Sequence, residues 1–222
     1  MKNLIILIFM IIMLNSIDGY SKEIRIPVVV VDSGISHYQA KKSYMCENGV
    51  LSTVGDNGID EHGHGMNIIG IIASKINKKY CIVSIKVHSK KAASMSSYVA
   101  GLRIAVSLYP SIINISMDGE VSDFFETLYL QRALSRGTKV VVAAGNNSVN
   151  LDSNCKAFPT CAKKDISRLY SKNMFIVGAT NTGSSNYGSI ITHRLPGKNL
   201  GFPKMSGTSQ AAASLTSKLV QK

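Results

Sequence analysis

The sequence predicts an α/β fold, with three layers, α/β/α, built around a mainly parallel central sheet. Three observations carry that prediction. Five short runs rich in β-branched residues show little alternation of apolar and polar positions, as strands buried on both faces of a parallel sheet do. Stretches with helical spacing lie between them, so strand and helix alternate along the chain. Three polar motifs follow directly on strand-like runs, at the carboxyl ends where ligands gather in such sheets.

Taken in order, Met1-Lys2-Asn3 leads into 11 unbroken apolar residues, Leu4 to Leu14, and then into polar and small residues up to Ser21. That layout is a secretory signal peptide, since a spanning helix needs about 20 apolar residues. Gly19 and Ser21 suit cleavage before Lys22. Residues 1–21 are therefore expected to be removed, leaving residues 22–222 as one domain, secreted or periplasmic, with no stable membrane anchor. The first strand is expected over 26–31. An apolar helical stretch follows over 66–76 and a strand over 81–87. Residues 94–109 place Tyr98, Leu102 and Ala105 on one helical stripe, ahead of a strand over 111–116. The next helix, 123–136, opens on Asp123-x-x-Glu126 as a capping box and stops at Gly137. Strands over 138–144 and 174–179 and a last helix over 210–220 complete the pattern.

Composition is that of an ordinary globular chain, with 45% hydrophobic and 17% charged residues. The formal net charge of +12 survives loss of residues 1–21, which hold one Lys and one Asp. Lysines occur as scattered pairs, Lys41-Lys42, Lys78-Lys79 and Lys163-Lys164, without interleaved aromatics, which reads as a solvated face and not as a nucleic-acid surface. Cys46, Cys81, Cys155 and Cys161 form an even set in a chain expected to be exported, so two disulfides are expected from three pairings. Proximity in sequence favours Cys155 with Cys161, leaving Cys46 with Cys81. With no Cys-x-x-Cys pair, and with His62 and His64 lacking a third ligand, no metal site is expected.

A serine hydroxyl needs a neutral imidazole to take its proton and a carboxylate to orient that imidazole. Asp32 ends the first strand-like run, His64 stands in Gly63-His64-Gly65 at a helix start, and Ser209 follows Gly207-Thr208 before the last helix. Free N–H groups and the positive dipole end of that helix favour developing negative charge beside Ser209. Each motif alone has an ordinary explanation as a turn, a loop histidine or an N-cap. The set is more specific, because Asp, His and Ser occur in the chain order of subtilisin.

On these residues the chain resembles the subtilisin-like serine peptidase family, the subtilases, over most of its length. Val30-Val31-Asp32-Ser33-Gly34 is similar to the family's Asp motif, Gly63-His64-Gly65 with Gly70 to its His motif, and Gly207-Thr208-Ser209 with Ala211 to its Ser motif. Ala143-Ala144-Gly145-Asn146 resembles the motif whose Asn donates to the oxyanion. Asn114-Ile115-Ser116-Met117-Asp118-Gly119 resembles the segment that lines the substrate cleft, and Ile176-Val177-Gly178-Ala179 and Leu195-Pro196-Gly197 resemble two later landmarks. The resemblance implies a subtilisin-like fold and a serine endopeptidase with Asp32, His64, Ser209 and Asn146 as catalytic residues. It also implies that Ser116, Met117, Asp118, Gly119, Ala144 and Gly145 bind polypeptide substrates. The protein is expected to be a monomer that requires no cofactor for chemistry. Structural calcium, common among relatives, stays open, although the 13 acidic residues form no evident cluster.

Several positions depart from the family pattern. Asp32 follows the expected cleavage site by about ten residues, which leaves no room for a pro-segment, and the chain ends 13 residues after Ser209, so the fold is expected to be shortened at both ends. Met66-Asn67 stands where Thr-His is usual, Gln210 and Ala213 replace Met and Pro, and Asp118 replaces a small residue. Asp118 is expected to favour a basic or polar side chain near the first specificity pocket. Two other readings compete: a secreted relative that keeps the fold for binding without catalysis, and a nucleotide-binding α/β protein. The second lacks any Gly-x-Gly-x-x-Gly or Walker loop.

Overall fold

In the computed structural model, which describes residues 24–89 and 93–221, seven strands form one sheet. They are β1 (Ile26–Asp32), β2 (Met45–Ser52), β3 (Tyr80–Lys86), β4 (Ile112–Ile115), β5 (Lys139–Ala143), β6 (Met174–Ala179) and β7 (His193–Leu195). Their order is β2-β3-β1-β4-β5-β6-β7, and every neighbouring pair is parallel. The five strands expected from the sequence are all present. Both unforeseen strands lie at the edges. β2 carries Glu47, Asn48 and Gly49, poor strand formers, and its register shifts between Met45 and Val50; β7 has three residues. The signal-peptide segment 1–21 lies outside the described residues.

Among the described residues six α-helices accompany the sheet: α1 (His37–Ala40), α2 (His64–Ala73), α3 (Met95–Ser107), α4 (Phe124–Ser135), α5 (Arg168–Ser171) and α6 (Thr208–Leu219). Val28 to Val31 of β1 are wholly buried because helices cover both faces. Val28 and Val30 pack with Ile68 and Ile72 of α2 and Ala211 and Ala212 of α6, whereas Val29 and Val31 pack with Leu102 of α3 and Leu130 of α4. The run therefore lacks alternation for a physical reason: each face meets a separate core. Full burial of each such side chain contributes roughly 1.5–3 kcal/mol. Small residues at Ala211 to Ala213 let α6 lie against the sheet, buried along most of its length.

The expected capping box of α4 is only half made. Asp123 caps the helix, its Oδ1 accepting from Phe125 N–H at 2.7 Å and Glu126 N–H at 3.2 Å. Glu126 does not return a bond of normal geometry to Asp123, because its carboxyl turns inward toward Tyr98 of α3. Both disulfides take the pairing favoured by sequence proximity, Cys46–Cys81 between β2 and β3 and Cys155–Cys161 within one loop. Lys86, at the end of β3, is 1% exposed and places its ammonium 2.6 Å from Asp56 and 2.6 Å from the Ile59 carbonyl. That ammonium takes the place a cation would need among these oxygens, so the cluster does not fit a calcium ion. Among the described residues no group of three or more His, Cys, Asp or Glu is placed to hold a metal.

Candidate active site

Parallel strands deliver the loops after β1, β4 and β5 to the carboxyl end of the sheet, where they meet the starts of α2 and α6. Asp32 closes β1, buried at 3% exposure, and its Oδ1 lies 2.8 Å from Nδ1 of His64, the first residue of α2. Glycine makes that approach feasible. A Cβ on Gly65 would stand 2.3 Å from the Gly34 carbonyl oxygen, and Gly34 itself has φ +115°. Asp60 then fixes the entry to the helix: its carboxylate accepts from the N–H groups of His62, Gly63 and Met66 at 2.8–2.9 Å and from Ser33 Oγ at 2.9 Å. Ser33 Oγ in turn accepts from Gly65 N–H at 2.9 Å.

Burial by itself lowers the pKa of His64, but the charge of Asp32, the hydrogen bond to it and the charge of Asp60 outweigh burial, and the net shift is upward. With Nδ1 committed to Asp32, Nε2 is the nitrogen left for the cleft. Ser209 is the second residue of α6, where first-turn N–H groups have no acceptor within the helix. Its Oγ donates to the Ser116 carbonyl at 3.1 Å.

Asn146 lies in the loop after β5. Its Oδ1 accepts from Thr208 N–H at 2.9 Å and from Thr208 Oγ1 at 3.2 Å, which leaves the Nδ2 donors for the cleft. Asn186, 1% exposed, holds this loop from behind: Nδ2 donates to the Ala144 carbonyl at 2.9 Å, and Oδ1 accepts from the N–H groups of Asn147 and Val149 at 3.0 Å each. Gly145, at φ +94°, has no room for a side chain, since a Cβ would stand 2.4 Å from that same Nδ2.

Asp32, His64, Asn146 and Ser209 border one cleft of about 480 Å³, together with Ser116, Met117, Asp118 and Gly119. Ala144 and Gly145 lie behind Asn146, Ala144 fully buried. Asp118 sits on the solvent-exposed side of the cleft, and partial desolvation raises its carboxyl above the usual range. Gly119 is paired on both sides with Phe158, by bonds of 3.0 and 2.8 Å.

A seven-stranded parallel sheet with Asp, His, Ser and Asn gathered at its carboxyl end defines the class of the fold, and comparison with known proteins agrees. The subtilase family model matches residues 25–221, and the chain belongs to that family of serine peptidases. It is 30% identical over 191 residues to the subtilase-type proteinase isp6 of Schizosaccharomyces pombe, covering 79% of this chain and 38% of that protein. Subtilisin-like protease 5 of Arthroderma otae is 29% identical over 201 residues, covering 82% of this chain and 49% of the relative. The chain thus spans half or less of the length of these curated relatives. A cold-adapted subtilisin-like serine proteinase of known crystal structure shares the fold with a TM-score of 0.68 at 23% identity, over 86% of this chain and 72% of that one.

Several supporting residues escape sequence reasoning. Asp60, four residues before His64, carries a detectable signal, since Asp commonly caps the N–H groups of a following turn. Asn186 carries none, being forty residues from the loop it holds. Asn67 and Gln210, read only as departures from the family pattern, turn out to be partners: Gln210 Nε2 donates to Asn67 Oδ1 at 3.0 Å, joining α2 to α6. Asn67 Nδ2 donates to the carbonyls of Leu200 and Pro203 at 2.9 and 2.6 Å.

Proposed function

We propose that the mature chain is an exported serine endopeptidase that cleaves polypeptides through an acyl-enzyme on Ser209. The observation that carries this reading is the 2.8 Å Asp32–His64 contact in the same cleft as Ser209 and the donors of Asn146. In the reaction Ser209 Oγ turns from the Ser116 carbonyl to His64 Nε2, gives up its proton and attacks the peptide carbonyl. Asp32 holds the imidazole in the required tautomer and stabilises the imidazolium. Asn146 Nδ2 and the Ser209 N–H receive the oxyanion, both fixed in advance by α6 and Thr208. His64 then returns the proton to the leaving amine, and water releases the acyl group by the same route. Because Gly119 is already paired with Phe158, an extended peptide pairs with the main chain from Ser116 to Asp118.

Labelling by a fluorophosphonate, lost in Ser209→Ala, tests the chemistry, and casein digestion with and without calcium tests the substrate class and any metal requirement. One observation favours a second reading, a binding protein without catalysis: the Ser209 hydroxyl is bonded to Ser116 rather than to His64. Well-folded protein that does not label would establish that reading and end the first.

A further inference from the structure

Glu126 is a buried carboxyl bordering the cleft that the catalytic reading leaves unused. It lies in the first turn of α4, is 1% exposed and borders the cleft beside Tyr98 and Met95 of α3. Neither carboxyl oxygen has a hydrogen-bond partner in the protein, nor has the buried hydroxyl of Tyr98. Tyr98 and the Asp123 N–H face the carboxyl, but both are neutral donors held away from bonding geometry. A buried carboxylate without a cation is strongly disfavoured, and such a group stays neutral or waits for a counter-ion. Among the described residues that border the cleft there is no Lys and no Arg, although the chain as a whole carries +12. The carboxyl side chains that border it are Asp32, Asp118 and Glu126; Asp32 is buried but paired with His64, Asp118 is exposed, and Glu126 is buried with no bonded partner.

We propose that Glu126, with Tyr98 beside it, forms a subsite on the α3–α4 side of the cleft that receives a basic side chain of the peptide, at a position other than the one Asp118 meets. A guanidinium entering there supplies a counter-charge that no described Lys or Arg bordering the cleft provides, and gives the Tyr98 oxygen a donor, whereas an apolar side chain leaves both groups unsatisfied. Desolvation makes this pair more discriminating than one made by the exposed Asp118. The upward shift of the Glu126 carboxyl, to about 7, agrees with a carboxyl lacking its cation in the free protein.

The inference rests on the cleft being a peptide site but not on its chemistry, so binding is measured in the Ser209→Ala chain. Labelled octapeptides carry arginine or its neutral isostere citrulline at each position in turn, and affinity is read by fluorescence anisotropy. At one position arginine is expected to bind about tenfold tighter than citrulline. Glu126→Gln should bring that ratio close to one, while Asp165→Asn, which removes an exposed carboxylate that does not border the cleft, should preserve it. The arginine preference needs no substitution at Glu126 to be seen, so a poorly folding variant does not block the test. Absence of arginine preference at every position, or an unchanged ratio in folded Glu126→Gln, overturns the subsite. A preference found in a chain that fails fluorophosphonate labelling retains the subsite and removes the peptidase.

Discussion

Asn146 illustrates how one side chain is given a single task. Thr208 occupies its oxygen with two donors, so the amide cannot flip without losing both, and the NH2 group stays available for another acceptor. Asn146→Ala should lower turnover about a hundred- to a thousand-fold with little change in KM, the scale known for a side-chain oxyanion donor in subtilisin. An equal fall in casein hydrolysis and in folded content would instead mark it as structural. His64 leads to a pH prediction. Because its pKa is raised, the neutral imidazole that the proposed mechanism needs as base prevails only above the ordinary histidine value of 6.5, and the acidic limb of kcat/KM should bend above that value. A limb at or below it would show that Asp32 and Asp60 do not dominate burial. Asp32, His64 and Ser209 are legible in the sequence only as a set, through their order and their settings at a strand end and two helix starts, while Asn146 is implied by the resemblance to the subtilases. Asn186 is not legible, since its work consists of hydrogen bonds to backbone far away in the chain.

Between elements, the junction of α2 and α6 decides whether His64 and Ser209 keep their relative position. Asn67 and Gln210 tie the two helices by a buried bond, so two departures from the family pattern form one compensated pair. Each single change to Ala strands buried polar groups and should destabilise by about 1–3 kcal/mol. A double-mutant cycle read by urea unfolding should return a coupling of about 0.5–3 kcal/mol, and additivity would deny the pair. At the same scale lies the half-made capping box of α4. Local pattern pointed Glu126 back at Asp123, but the adjacent cleft and Tyr98 turned its carboxyl inward, a tertiary choice that an i, i+3 pattern does not contain. The edge strands β2 and β7 were illegible for a similar reason: a long β3 and a partner in β6, rather than their own propensity, draw them into the sheet.

For the whole molecule, two predictions concern stability. Cys46–Cys81 spans 35 residues and Cys155–Cys161 spans six. On loop-entropy grounds replacing the first pair by serine should cost roughly 4 kcal/mol and the second roughly 2 kcal/mol, measured as urea unfolding. Equal losses would point to effects in the native state instead. Glu126 adds a pH dependence. A carboxyl raised from 4.5 to about 7 holds its proton more tightly when folded, so its contribution is most favourable below 4.5 and declines as pH rises through about 7. The groups facing it, Tyr98 and Asp123, do not supply a cation. Over that range the protein should lose on the order of 3 kcal/mol, and Glu126→Gln should abolish this part of the slope. An identical pH profile in the variant would show that Glu126 is better solvated than its burial indicates.

The sequence by itself determined the fold class, the five inner strands, the order of the Asp, His and Ser motifs and the favoured cysteine pairing. Those features follow from local periodicity, from glycine and small residues at strand ends, and from separation along the chain. Tertiary structure alone decided that Asp32 and His64 meet at 2.8 Å, that Asn67 answers Gln210, and that Glu126 borders the cleft with neither carboxyl oxygen bonded. Such facts depend on which distant backbone comes near, and a one-dimensional pattern contains no record of the partner it will meet.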